Sequence, residues 1–393
     1  MAQFSSLALT QALPFLPLAQ GDIDYQVERR GEPDLIETVL LNPATKVILV
    51  RDGLLAVPFG QSNIVNHAAV KMRLAALPGA YVAAELRRHP EVVAMFLGSY
   101  GGARNEEVVA VDITDIRPLS RDSSFSVDAR FDDSDIAGAI EGSASFEGGV
   151  PAGAGAVGAG AGAPGAAGSR AGRSAGRYES LLETATERFD WVDLRGFAPH
   201  ASAREVGQAT TAVSLGGWHE VQHHCPACGA PTKPALAGWA QRCTNEADGF
   251  RELFPRIEPA VIASIVDADD RLLIQHNRAW DNPTLYSVSA GFVEAGENLE
   301  HACRREAMEE TGVRLGEVKY LGSQPWPYRA SLMMAFKARA LTTDIRVDGQ
   351  ETSDARWVTR DEYRDLLIAG QITAPGKATI ARTMIEEWYG REL

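Results

Sequence analysis

From residue 1 to about 135, apolar positions come in short runs bounded by turn residues. Lys46–Val50, Glu91–Leu97 and Val108–Ile113 follow this pattern, so the region predicts short strands. It holds no catalytic constellation. The pattern then stops at Glu141–Gly176, EGSASFEGGVPAGAGAVGAGAGAPGAAGSRAGRSAG, where Gly, Ala and Ser dominate. Such a stretch cannot bury enough apolar surface to offset its ordering entropy, and it predicts a disordered linker. Beyond it, Tyr178–Arg188 and Ala203–His219 read as helices. Pro259–Val266, Leu272–Gln275, Tyr320–Ser323 and Ala335–Ala338 read as strands. Leu299–Thr311 reads as a helix stopped by Gly312, and Ala378–Tyr389 as a closing helix. The expected divisions are a β-rich domain at 1–140, the linker at 141–176 and a helical segment at 177–220 that completes the N-terminal region. A cysteine module at 221–257 and an alternating α/β domain at 258–393 follow.

Composition narrows the class. A chain of 393 residues fits two or three domains, and 45% hydrophobic with 23% charged residues is a globular balance. The net charge of −14 argues against a large electrostatic footprint for nucleic acid or anionic membrane, while leaving room for a local basic pocket. Four cysteines do not make a disulfide framework in a chain of this length, and three of them cluster, which points to a reducing compartment. No stretch is long and apolar enough to span a bilayer. Leu7–Ala19 is apolar, but Pro14 and Pro17 interrupt it and no basic region precedes it, so no signal peptide is expected. A cytoplasmic location without membrane contact follows.

Residues 291–313, GFVEAGENLEHACRREAMEETGV, carry the chemistry. On a helix Glu306 and Glu310 share a face, with Glu309 beside them. Like charges at that spacing repel; a solvated helix face can tolerate this, and a divalent cation would turn it into an attraction. An all-oxygen site suits Mg²⁺ or Mn²⁺, which can polarise a phosphoryl oxygen and activate water. Glu297 precedes the helix, and Arg305 can hold a carboxylate bidentately. Gly291 and Gly296 let the preceding loop fold tightly.

The spacing of Gly291, Glu297, Arg305-Glu306, Glu309-Glu310 and Gly312-Val313 resembles the Nudix box. Ala307 departs from it, where a larger aliphatic is usual. The resemblance implies an α/β/α sandwich and hydrolysis of a nucleoside diphosphate linked to another moiety. It also implies that Glu306, Glu309 and Glu310 carry metal. Cys303, on the same helix, reads as a small core residue rather than a nucleophile.

A second segment addresses the substrate. Ser323–Phe336 reads SQPWPYRASLMMAF. Pro325 and Pro327 stiffen the backbone around Trp326 and exclude a helix. Trp326 and Tyr328 offer flat faces for a nicotinamide or adenine ring, or else they are buried aromatics at a strand end. Gln324 and Ser331 have the chemistry to bond a ribose, amide or phosphate. The segment is similar to the SQPWPFPxS array of the NADH pyrophosphatases, with Arg329 in place of the second proline. That arginine is expected either to meet a phosphate or to face solvent. The resemblance assigns Gln324, Pro325, Trp326, Pro327, Tyr328, Arg329, Ala330 and Ser331 to the substrate, together with Ala290 before the box and Ala381 in the closing helix. It adds Glu351, in GQETSDARW, to the metal site. It runs from about Trp191 to the C-terminus, with weaker matches at 96–98 and 110–112, and it implies a possible homodimer.

Cys225-Pro-Ala-Cys228, then Cys243 after fourteen residues, is most of a zinc ribbon, which needs four ligands. Glu246 stands where the family pattern places the fourth cysteine, and about three residues appear inserted before Phe254-Pro255. His223, His224, Glu246 or Asp248 could complete a structural Zn²⁺ site, or the knuckle survives as packing alone. The reading expected from the sequence is therefore an NADH/NAD⁺ diphosphatase that also has the means to remove NAD caps from RNA. The alternatives are a Nudix hydrolase of ADP-ribose or a similar compound, and an inactive binding protein of the same fold.

Overall fold

The computed structural model describes residues 7, 10–13, 16–18, 23–62, 70–100, 106–116 and 180–393. The expected linker at 141–176 and the start of the helix expected at Tyr178 lie outside the described residues.

In the N-terminal region, β1 (Lys46–Arg51), β2 (Leu54–Pro58), β3 (Ala76–Pro78), β4 (Val93–Tyr100), β5 (Glu106–Asp112) and β6 (Phe189–Val192) form one sheet. Its order is β4-β5-β1-β2-β6, with β3 on β1; β1 and β5 run parallel and the other pairs antiparallel. Strand alternation divides two cores. Ile48 and Val50 of β1 enter one buried cluster, Val47 and Leu49 the other. The stretch read as purely helical holds helices Leu181–Arg188 and Ala203–Val221, each capped by a serine side chain that accepts a backbone N–H. It also holds β6, which pairs with β2 at the sheet edge. Four residues are too few to reveal a period of two, so this strand was invisible to pattern.

A small sheet of β7 (Thr232–Ala235), β8 (Ala240–Cys243) and β9 (Glu252–Leu253) follows. The C-terminal sheet contains β10 (Glu258–Val266), β11 (Leu272–Asn277), β12 (Ser289–Phe292), β13 (Leu315–Trp326), β14 (Ser331–Ala340) and β15 (Thr352–Val358). Its order is β13-β14-β10-β11-β15, with β12 on β10. β13 and β14 extend well beyond the expected four-residue runs, because polar residues such as Glu317 and Lys319 break up the apolar signal. Along β10, Val261, Ala263 and Ile265 pack with Ala302, Cys303 and Ala307 of the helix Leu299–Thr311. Ala260, Ile262 and Val266 share a core with Ile380, Ala381 and Met384 of the closing helix Ile380–Tyr389. Helices thus cover both sheet faces, the α/β/α sandwich expected.

The N-terminal chain crosses this sandwich. Leu13 N–H donates to the Leu321 carbonyl at 2.8 Å, and Lys319 Nζ donates to the Leu7 carbonyl at 2.9 Å. Leu16 and Leu18 are buried in the same cluster as Leu321 and Trp326. Leu16 and Leu18 thus take up core positions beside Leu321 of β13. Among the described residues no helix is long and apolar enough to cross a membrane.

Candidate active site

The glutamate-bearing helix starts where the Asn298 side chain accepts the His301 N–H at 2.8 Å, and it ends at Gly312 in the left-handed region at φ 71. With its register set by these caps and by Ala302, Cys303 and Ala307 in the core, Glu306 and Glu310 turn toward the sheet and are 6% and 2% exposed. Glu309 lies at the rim, its side chain 58% exposed. Gly291 of β12 faces Glu306 so closely that a Cβ there would stand 2.1 Å from the Glu306 carboxyl carbon.

Glu310 accepts from Gln275 Nε2 at 2.9 Å and from Ser289 Oγ at 2.7 Å, both at Oε2. Its Oε1 is buried with no hydrogen-bond partner. Burial, then the charges of Glu306 and Glu351, push its carboxyl up to about 8. Burial also raises Glu306, against the pull of Arg305. Glu351 joins them from the loop before β15. Asp348 holds that loop by accepting the Glu351 and Thr352 N–H groups at 3.0 and 2.9 Å. Burial, then the Glu306 charge, pushes Glu351 up to about 7.

Arg305 ties the rim together. It donates to Glu297 at 3.0 and 2.8 Å, to Glu306 at 2.8 Å, to Glu309 at 3.0 Å and to the Phe292 carbonyl at 2.8 Å. Its bond to Glu297 holds that carboxyl at about 2. Acidic side chains that repel one another, one with an orphaned buried oxygen, are the donor set a hard divalent cation needs. The residues therefore fit the metal that the spacing implied. Cys303 is a core side chain, and burial pushes its thiol up to about 12, so it is no nucleophile at neutral pH.

The SQPWPYRAS segment forms the turn of the β13–β14 hairpin, with Trp326 paired to Ser331. Its aromatic faces are not open platforms. Trp326 is 3% exposed, and its ring lies 4.8 Å from that of Tyr328. Tyr328 is pinned to the N-terminal region. Its hydroxyl donates to Asp193 Oδ1 at 2.8 Å and accepts the Arg195 N–H at 3.2 Å, while the Arg195 guanidinium lies over its ring. Stacking by these rings requires the hairpin to open, because the core and the N-terminal region already use both. The Trp326 indole N–H remains buried without an acceptor. Gln324 is also committed: it accepts from Leu18 N at 3.1 Å and donates to the Ala378 carbonyl at 3.0 Å. Arg329 is exposed at the turn with φ 57, a conformation closed to proline. Ala290 and Ala381 are buried, and the Ala330 carbonyl accepts from Glu258 N at 2.9 Å. Pro325 and Pro327 are half-buried in the hairpin, and Ser331 is buried.

In the cysteine module, ligand atoms of Cys225, Cys228, Cys243 and Asp248 all lie within 4.8 Å of one another. His223, His224 and Glu246 are exposed and outside that group. Residue pattern overlooked Gln275, Ser289, Asp348 and Asp193. Gln275, Ser289 and Asp193 are ordinary polar residues whose partners are far away in the chain, and the Asp348 side chain bonds the backbone of its own loop, so no local signal marks any of them.

Residues 256–377 match the NUDIX domain family, and residues 222–249 match the NADH pyrophosphatase zinc ribbon domain. The chain is 40% identical over 210 residues to the NAD-capped RNA hydrolase NudC of Mycobacterium tuberculosis, covering 51% of this chain and 66% of that protein. It is 36% identical over 193 residues to the human NAD-capped RNA hydrolase NUDT12, covering 47% of this chain and 42% of that one. A NUDIX hydrolase structure from Nitrosomonas europaea is similar at 19% identity and a TM-score of 0.34, over 43% of this chain and 94% of that one. The chain spans just under two thirds of the length of the mycobacterial relative. It carries a Nudix domain, with an NADH pyrophosphatase zinc ribbon domain directly before it.

Proposed function

We propose that this chain hydrolyses the pyrophosphate of NADH and NAD⁺ to a nicotinamide mononucleotide and AMP, and removes NAD caps from RNA. The observation that carries the reading is the buried Glu310 with an unpartnered Oε1, its carboxyl raised by burial and by the charges of Glu306 and Glu351, on a helix that carries a Nudix signature. The SQPWP segment and the relatives named above support the dinucleotide as substrate.

Glu306, Glu309, Glu310 and Glu351 would hold Mg²⁺ or Mn²⁺, chosen because the donor set is all oxygen. When bound, the cation supplies charge neutralisation of the diphosphate and a lowered pKa for water. Arg305 keeps three of the acidic side chains in fixed geometry, so little reorganisation is left for the reaction itself. Gln275 and Ser289 hold Glu310 so that its free oxygen points away from them. Once opened, the hairpin at 326–331 would orient the dinucleotide, and the Trp326 N–H, buried without an acceptor in the closed hairpin, would become an available donor. Four free thiols with no disulfide among the described residues accord with a reducing, cytoplasmic setting.

Chromatography of the products of NADH with Mg²⁺ and with Mn²⁺ tests reaction, substrate and metal together. AMP and reduced nicotinamide mononucleotide in equal amounts are expected. Cleavage of ADP-ribose but not of NADH overturns the substrate assignment, and no cleavage of either favours a binding protein.

A further inference from the structure

The ribbon is one cysteine short, and Glu246, at the expected position, points into solvent. We propose that Asp248 is the fourth ligand, so that the ribbon holds one zinc ion through three thiolates and a carboxylate, with Arg251 as the positioning residue.

The distances fit a tetrahedron. With Zn–S near 2.3 Å and Zn–O near 2.1 Å, the edges of a tetrahedral site are roughly 3.6–3.8 Å. Cys225 Sγ lies 3.3 Å from Asp248 Oδ2, and Cys228 Sγ lies 3.5 Å from Cys243 Sγ. Small outward shifts of these side chains would admit the ion.

The local backbone explains why residue 248, rather than 246, returns to the sulfurs. After Cys243 the Asn245 side chain accepts the Ala247 N–H at 3.0 Å and starts a short 3-10 turn over Glu246–Asp248. Gly249, at φ 68, then reverses the chain. Cys243 N–H donates to the Arg251 carbonyl at 2.8 Å, which closes the loop and restores the ladder. The turn sends Glu246 outward and Asp248 inward.

Asp248 is also oriented as a ligand should be. Arg251 donates to it through Nε at 3.3 Å and Nη2 at 3.2 Å, fixing the carboxylate from behind as outer-shell partners of metal ligands do. Aspartate keeps the charge of a four-thiolate site, since it replaces one monoanion with another. It does not keep the softness. A carboxylate binds zinc less tightly than a thiolate, so this site releases zinc more readily than a four-cysteine ribbon.

The test uses the full chain, purified under reducing conditions, with zinc content by elemental analysis and zinc release to a colorimetric chelator. Wild type is expected to hold about one zinc per chain. Glu246→Ala should match it. Asp248→Ala should lose zinc to the chelator at least roughly tenfold faster. Asp248→Cys should lose it more slowly than wild type. After Co²⁺ replacement, the sulfur-to-cobalt charge-transfer band should grow in Asp248→Cys by one thiolate's share. Wild type with less than about a tenth of an equivalent of zinc overturns the proposal. So does Asp248→Ala with wild-type content and release. If Asp248→Ala does not fold, the cobalt spectrum of Asp248→Cys decides, and an unchanged spectrum overturns the assignment. None of these readings involves dinucleotide cleavage, so this proposal and the proposed activity fail separately.

Discussion

Replacing Gly291 with alanine adds one methyl group at the point where β12 meets the glutamate helix. The new Cβ would lie 2.1, 2.2 and 2.4 Å from the Glu306 carboxyl carbon and its two oxygens. Restoring ordinary contact requires that carboxylate to withdraw by roughly 1 Å, and misplacement on that scale costs about 10²-fold in rate. The obstructed group is the far end of a flexible side chain, and Gly291 sits in a ladder against Val261 that alanine can join. The fold should therefore survive. Weakening of the Arg305–Glu306 bond at 2.8 Å accounts for a stability loss of about 1–2 kcal/mol. The expected result is a fall in kcat/KM of about 10²-fold, equivalent to about 2.7 kcal/mol, with circular dichroism unchanged. Mn²⁺ affinity, read by titration calorimetry, should weaken by roughly tenfold. A folded Gly291→Ala protein with wild-type Mn²⁺ affinity and turnover would refute the placement of Glu306 in the metal site.

Glu310→Gln should abolish cleavage and yet stabilise the metal-free protein above neutral pH. Glu310 has a folded pKa of about 8 against about 4.3 when unfolded, so its contribution is complete below 4.3 and is lost as pH rises through 8. The difference amounts to about 3 kcal/mol at pH 7; melting curves of the two metal-free proteins that run parallel from pH 5 to 8.5 would contradict this. Arg305→Lys removes a planar donor shared by three acidic residues, and single-turnover rates should drop roughly 10²-fold. A rate within twofold of wild type would show that the guanidinium is dispensable. Asp193→Ala removes one of the contacts that hold Tyr328 to the N-terminal region, so KM for NADH should rise several-fold with kcat near wild type, the loss being about 1 kcal/mol. Tyr328→Phe should have a similar effect, and the double variant should be no worse than either single change; additive losses would rule out the coupling.

The glutamate helix was legible because everything that makes it is local. Asn298 and Gly312 cap it, Ala302, Cys303 and Ala307 mark its buried face, and glutamates three and four apart fall on one side. β10 was legible for a related reason, since a buried strand between two helices reads as a continuous apolar run. β6 was not, being four residues at an edge. The aromatic pair shows a different limit. The sequence placed Trp326 and Tyr328 on a stiff backbone, either as open faces for a ring or as buried aromatics at a strand end. How Tyr328 is held depended on Asp193 and Arg195, which approach from more than a hundred residues away.

By itself, the sequence determined that Glu306 and Glu310 share one side of a helix, because helical periodicity converts spacing directly into a shared face. It also brought out three cysteines, Cys225, Cys228 and Cys243, at metal-ligand spacing. Tertiary structure alone decided what surrounds each of these groups. Pairing of β11 with β15 brings Gln275 beside Thr352, so that Glu351 enters the site next to Glu310. Closure of a loop around Cys243 selects Asp248 over Glu246 as the side chain facing the sulfurs. Burial of a carboxylate, and the number of its oxygens left without a partner, depend on atoms distant in the chain. Those quantities push the Glu310 carboxyl up to about 8 and leave one of its oxygens buried without a partner.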